Sequence, residues 1–308
     1  MMDKAIPQSR PGGDYNQLPY VSMPVVYSQP SRLAALAALY GLKAPEVETA
    51  RVLEIGCASG GNIVPLAARF PKSTFLGIDL SATHIEIARQ TIARLGVTNI
   101  EIRQADVAEV AFGGEQFDYV ICHGVFSWVP RPAQDAILRI CGGALTRSGI
   151  AMISYNVLPG WHTHAVVRDM CLRHAGNAGT PRERVVRVRE LLEQLAATAR
   201  SNDPYGLILR TEAARLAKRP ASYILGEFLT EHNSPCHFRD FCERAEANGL
   251  AYLCETDVPS SLPELFMPDA ADRIRAMAGN DPASMQQYTD FFSGRSFRRS
   301  LVVRAENA

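Results

Sequence analysis

Between Arg51 and Asn156 short apolar runs alternate regularly with stretches of helical spacing, and this rhythm restricts the possible folds more than any other feature of the chain. Strands that each hand on to a helix pair in parallel and are covered by their crossover helices. The strands read as VLEIG (52–56), TFLGID (74–79), IEIRQAD (100–106), FDYVICHG (117–124) and IAMISYN (150–156). Between them NIVPLAARF, SATHIEIARQTIARLG and PAQDAILRICGGAL have helical spacing, the second opening on a Ser cap and stopping at Gly96. Upstream, SRLAALAALYG (31–41) reads as a helix beside the first strand.

After Asn156 the rhythm breaks for about ninety residues. TPRERVVRVRELLEQLAATAR carries Thr180 as N-cap, Pro181 at the first helical position and Glu183 closing a capping box. SYILGEFLTEH and FRDFCERAEANGL read as further helices, AYLCETDV (251–258) as a strand, RIRAMAG as helical and FRRSLVVR (297–304) as the closing strand. The expected fold is α/β, a Rossmann-like seven-stranded sheet with a helical insertion between strands 5 and 6 and a smaller one before strand 7. The corresponding divisions are an amino-terminal lid and helix (1–50), a core (51–157), an insertion (158–248) and two strands closing the core sheet (249–308).

Composition narrows the function classes. With 47% hydrophobic and 21% charged residues in 308, the chain has ample material for a core. Basic and acidic residues balance at 32 each, which speaks against a general nucleic-acid binder or a protein held on an anionic membrane. Seven scattered cysteines without a CxxC pair fit neither a disulfide framework nor a zinc ribbon, and no metal site is expected. The leader has no apolar core and no segment approaches 18 uninterrupted apolar residues, so a soluble cytoplasmic protein is the default expectation.

The first strand runs into Glu54-Ile55-Gly56-Cys57-Ala58-Ser59-Gly60-Gly61-Asn62. A dinucleotide fold wants a glycine at position 58 to admit a pyrophosphate, and here it is alanine. An acidic residue two before the first glycine suits a cofactor with an amino-acid head group: open turn amides around its carboxylate, Glu54 near its ammonium. Asp79 ends the second strand where a carboxylate accepts ribose hydroxyls, and Asp106 ends the third, level with an adenine amino group. Three acids at three consecutive strand ends describe a cleft for S-adenosylmethionine. An adenosine or nicotinamide site, or a site that binds nothing, remains the alternative.

At this point the chain resembles the class I S-adenosylmethionine-dependent methyltransferases, within them the group with a methyltransferase regulatory domain. YNQLPY (15–20), VLEIGCASGGN (52–62), FLGIDLS (75–81), FDYVICHGVFSWVP (117–130), SYNVLPGWH (154–162) and FRRSLVVR (297–304) carry the resemblance, over nearly the whole chain. It implies that Glu54, Gly56, Gly60, Asp79 and Asp106 serve the cofactor and that 158–248 belongs to the region called regulatory; some members methylate protein lysines. The expected cofactor site comprises Tyr15, Glu54, Gly56, Cys57, Gly60, Asn62, Asp79, Leu80, Asp106, Val107 and His123. The chain departs from the group's common patterns at Gly226-Glu227 and His237-Phe238.

Methyl transfer is an in-line displacement that needs an aligned nucleophile, and a general base only if the acceptor arrives protonated. His123 at the fourth strand end, Tyr155 at the fifth, His162 beyond it and Tyr20 in the leader are the expected acceptor-side residues, Tyr15 and Tyr20 forming an aromatic lid. The acceptor is a protein amine or a small molecule. A non-catalytic cofactor-binding protein remains the alternative.

Overall fold

The computed structural model describes residues 18–200, 202–279 and 281–307, so Tyr15 lies outside the described residues. Seven strands form one sheet: β1 (Arg51–Ile55), β2 (Thr74–Asp79), β3 (Ile100–Gln104), β4 (Phe117–Cys122), β5 (Leu145–Asn156), β6 (Leu250–Glu255) and β7 (Phe297–Arg304). Their order is β3-β2-β1-β4-β5-β7-β6, with β7 antiparallel to both its neighbours and the other pairs parallel. This is the seven-stranded sheet expected. The strand order reverses between β1 and β4, which opens a crevice at the carboxyl ends of those strands.

Period-two alternation sends apolar side chains to both faces. Val52, Tyr119, Ile121, Met152 and Leu301 meet α1 (Pro30–Leu39), α2 (Ile63–Arg69) and α3 (Ala82–Leu95). Leu53, Ile55, Val120, Cys122, Ile153 and Val302 meet α4 (Arg131–Ala144) and α9 (Phe238–Glu246). The central strands β1, β4 and β5 are buried on both sides, which is why their runs are nearly continuously apolar, whereas the edge strand β3 buries only Ile102.

The insertion holds α5 (Trp161–Ala175), α6 (Pro181–Thr198), α7 (Pro204–Ala217) and α8 (Ala221–Phe228), which share a core of their own built on Val167, Val188, Leu216, Ile224 and Phe228. The α6 capping box forms as expected. Within 158–248, α9 stands apart: Phe238, Phe241 and Ala245 pack into the sheet's core, so the separately cored part ends at Leu229. One more expectation is adjusted: Asp106 does not end the third strand, because β3 stops at Gln104. Leu158, Pro159 and Gly160 form a turn from which α5 starts at Trp161.

Before β7 lie α10 (Pro263–Phe266), α11 (Ala271–Ala278) and α12 (Pro282–Ser293). α12 escapes detection in the sequence because its inward residues are polar: Gln286, Gln287, Thr289 and Asp290 are buried. They face Arg298 of β7, which is fully buried and donates to Asp290 Oδ1 at 2.7 Å, Glu255 Oε1 at 2.8 Å and the Gln286 carbonyl at 3.1 Å. Among the described residues no helix is long and apolar enough to cross a membrane.

Arg298 neutralises two buried carboxylates, so its removal strands both. Arg298→Met is expected to cost about 3–5 kcal/mol in urea unfolding, far above the effect of an ordinary surface substitution.

Candidate active site

Carried past the ends of the strands, the pairing registers set Asp79, Gly56, His123, Ser154 and Arg299 in a row along the carboxyl edge of the sheet. Gly56 has φ +72°, and a Cβ there would fall 2.3 Å from Val125 Cγ2, so only glycine lets the β1 turn close on the β4 turn. Ala58 sits at φ +46°, a left-handed conformation that costs a non-glycine residue about 1–2 kcal/mol. The backbone bend of a glycine-rich loop is therefore kept although position 58 carries a methyl group.

The expectation of open turn amides around a carboxylate is corrected by this loop. The N–H groups of Gly56 and Cys57 donate to the Ile78 carbonyl, Gly60 to that of Cys57, Ala58 to Asp79 Oδ2 and Gly61 to Ser22 Oγ. Five of the six amides from Gly56 to Gly61 are thus engaged inside the chain. The Cys57 thiol is buried and held well above its ordinary range by that burial, then by Glu54, so it is a packing group and not a nucleophile.

Glu54 occupies the crevice floor, 5% exposed. Its Oε1 accepts from Asn62 Nδ2 at 2.8 Å, while the buried Oε2 has no hydrogen-bond partner. Burial pushes its pKa up to about 8, against the lowering effect of the Asn62 bond. An ammonium group arriving at Oε2 would supply both the missing donor and the missing charge. Asn62, expected to touch the cofactor, is instead a clamp: its Oδ1 accepts from the Val25 N–H at 2.9 Å and its Nδ2 also donates to Ser28 Oγ at 3.0 Å.

Through these bonds residues 20–28 form a strap across the crevice. The Tyr20 N–H donates to His84 Nε2 at 3.2 Å, and His84 Nδ1 lies 3.5 Å from Asp79 Oδ1. A Cβ on Gly61 would lie 2.3 Å from the Ser22 carbonyl oxygen, so strap and loop are in backbone contact. The Tyr20 hydroxyl is raised to about 12, first by burial and then by Glu227 and Tyr223 of α8. The strap therefore also meets the insertion, and Leu18 packs against the insertion's core.

At the end of β2 Asp79 accepts from Ala58 N–H and, at Oδ1, from Ser81 N–H at 2.8 Å, which fixes the carboxylate and leaves lone pairs free. Leu80 is exposed beside it. Asp106 lies in the turn after β3, exposed, its Oδ1 accepting from Ala108 N–H at 2.8 Å, and Val107 is partly buried against the core.

On the acceptor side His123 Nδ1 is buried without a partner, and burial followed by Arg299 lowers the imidazole to about 4, so the ring is neutral at physiological pH. Asn156, 2% exposed, has its Nδ2 unpartnered. Tyr155 is not brought to the crevice. It is 1% exposed on the opposite face, stacked on Phe241 at 4.1 Å, with its hydroxyl 3.0 Å from Ser300 Oγ. The two-residue strand period that turns Asn156 inward to the site turns Tyr155 away. His162 is exposed on the first turn of α5 and its ring makes no hydrogen bond among the described residues. The strap partners Ser22, Val25 and Ser28 and the edge residue Arg299 were not legible as site residues, since none belongs to a recognisable motif.

Comparison with known proteins agrees with this fold. Residues 52–149 match the family described as "Methyltransferase domain", and residues 220–304 match "Predicted methyltransferase regulatory domain". The second match begins at α8 and includes β6 and β7, so it takes in strands of the core sheet and leaves out α5 to α7. The uncharacterized protein RP789 of Rickettsia prowazekii is 38% identical over 289 residues, 94% of this chain and 52% of that protein. Uncharacterized protein RP028 of the same organism is 36% identical over 240 residues, 78% of this chain and 96% of that protein. The structure of PKMT2 from Rickettsia typhi in complex with AdoHcy superposes with a TM-score of 0.84 at 35% identity, covering 94% of this chain and 55% of that one. The chain thus spans about half the length of RP789 and PKMT2.

Glu54 keeps its proton below about pH 8, so a ligand whose ammonium needs the carboxylate must expel it. S-adenosylhomocysteine is expected to bind more tightly as pH climbs from about 6 towards 8 and to level off above, approaching tenfold per pH unit at the steepest. Titration calorimetry in phosphate and in Tris should find a proton released on binding near neutral pH, and Glu54→Gln should abolish both the release and the pH dependence.

Proposed function

Since the chain belongs to the class I S-adenosylmethionine-dependent methyltransferases, in the group with a methyltransferase regulatory domain, we propose that it transfers a methyl group to an amine, the side chain of a protein lysine. When bound, S-adenosylmethionine supplies a methyl group activated by a sulfonium. The residues present fit it: Glu54 offers a buried, unpartnered oxygen to the ammonium, Asp79 a fixed carboxylate to the ribose, and the turn at Gly56 a close backbone surface.

The observation that carries the choice of acceptor is the buried His123 Nδ1, which has no partner among the described residues, and whose burial also keeps the imidazole neutral. A group held at about 4 is too weak a base to take a proton from an alkyl hydroxyl or an ammonium. The same desolvation that strips His123 of its proton favours the uncharged form of an entering lysine amine, which is then a nucleophile without a base. His123 Nδ1, buried and unpartnered, can accept an N–H of that amine in the tautomer that carries its proton on Nε2, which orients the amine and leaves its lone pair free. The likeness to PKMT2 over 94% of the chain supports the same reading. In this reading a protein acceptor meets the insertion, against whose core Leu18 packs just before the strap.

Incubation with S-adenosylmethionine and candidate bacterial surface proteins, followed by peptide mapping, is expected to find methylated lysine. His123→Ala should lower kcat about tenfold or more while leaving the affinity for S-adenosylhomocysteine unchanged. Turnover confined to small hydroxyl or carboxyl acceptors would refute the amine reading.

A further inference from the structure

The amino-acid head of the cofactor carries a carboxylate as well as an ammonium. Glu54 answers the ammonium, but the loop amides expected to answer the carboxylate are already spent on Ile78, Cys57, Asp79 and Ser22. An anion in a partly desolvated crevice needs a paired cation or several donors.

Arg299 on β7 is placed to be that cation. Its backbone N–H donates to Glu255 Oε2 at 2.9 Å, yet its guanidinium makes no hydrogen bond or ion pair among the described residues. Its neighbours are committed: Arg298 to Glu255 and Asp290, Arg295 to the Ser260 carbonyl and Asp290, Arg32 to the Thr256 carbonyl. Only the side chain of Arg299, of these four, is held without being used.

It is held by aromatic rings. The guanidinium carbon lies 3.8 Å from the ring centroid of Tyr27 in the strap and 5.7 Å from that of Phe297, and Phe297 meets the His123 ring edge-on at 6.1 Å. A guanidinium lying over an aromatic face is fixed in place while its edge N–H groups stay available, which is the arrangement that grips a carboxylate with two parallel bonds. Tyr27 adjoins Ser28, which is tied through Asn62 to Glu54. The strap thus touches an unpaired cation through Tyr27 and, through Ser28 and Asn62, an acid with an unpartnered oxygen, and the two are not paired with each other.

We infer that Arg299 binds the carboxylate of the cofactor's amino-acid head, opposite the ammonium at Glu54. The two ends of a zwitterion are then read from two sides of the strand-order reversal, by a residue on β1 and one on β7.

Calorimetric titration of the whole chain with S-adenosylhomocysteine and with 5′-methylthioadenosine, which lacks the amino-acid head, tests this. Arg299→Gln is expected to weaken S-adenosylhomocysteine roughly 10- to 100-fold and to leave methylthioadenosine unchanged, with Arg299→Lys intermediate. Unchanged S-adenosylhomocysteine affinity would overturn the inference and leave the guanidinium for a carboxylate on the acceptor. An equal loss for both ligands would also overturn it, making Arg299 a support for the strap. The unaltered protein gives a test free of any folding defect: the carboxamide of S-adenosylhomocysteine should bind 10- to 100-fold more weakly than the acid. Equal affinity of carboxamide and acid would sink the proposal.

Discussion

One carboxamide joins the parts of this site. Asn62 donates to Glu54 on β1 and to Ser28, and accepts from the Val25 N–H, so the carboxylate beneath the crevice and the strap above it are held by the same side chain. An amide can do this because it carries donors and an acceptor on one planar group; a carboxylate has no donor and would face Glu54 with a like charge. The bond occupies Oε1 of Glu54 and leaves Oε2 facing the crevice unpartnered. A buried carboxyl with one oxygen satisfied and one not is a costly arrangement unless a ligand completes it.

The same logic separates the two arginines of Phe297-Arg298-Arg299-Ser300. Alternation along β7 sends Arg298 into the layer of α9 and α12, where Glu255, Asp290 and Gln286 consume its donors, and sends Arg299 to the strap side, where two rings hold it. Glu255 links them, since its Oε1 takes Arg298 and its Oε2 takes the Arg299 backbone N–H. The buried ion cluster thereby sets the register at which β7 presents its other arginine to the crevice.

The fold was legible wherever burial makes a period visible. All seven strands, the helices α1 to α4 and the capped α6 follow from apolar spacing and cap chemistry, because each presents an apolar face to one core. α12 was hidden because its buried face is polar, and α5 because its buried stripe Val167, Cys171 and Ala175 is made of small side chains set among His164, Arg168, Asp169, Arg173 and His174. The positions of Glu54, Gly56 and Asp79 along the crevice were legible since strand ends and turns are local features. Tyr155 was misplaced because proximity to a strand end says nothing of which face a side chain takes, and Asn62 because its partners lie 34 and 37 positions away in the leader.

What the sequence determines by itself is the sheet, its crevice and the acidic residues Glu54 and Asp79 at the ends of its first two strands, since these depend on periodicity and short-range turns. The tertiary structure alone decides which donors remain free. It spends the loop amides within the chain, leaves an oxygen of Glu54 unpartnered, neutralises His123 by burial and keeps the Arg299 guanidinium unpaired. The physical reason is that hydrogen-bond and charge satisfaction is settled between residues distant in sequence, where a motif carries no information about what is already bonded.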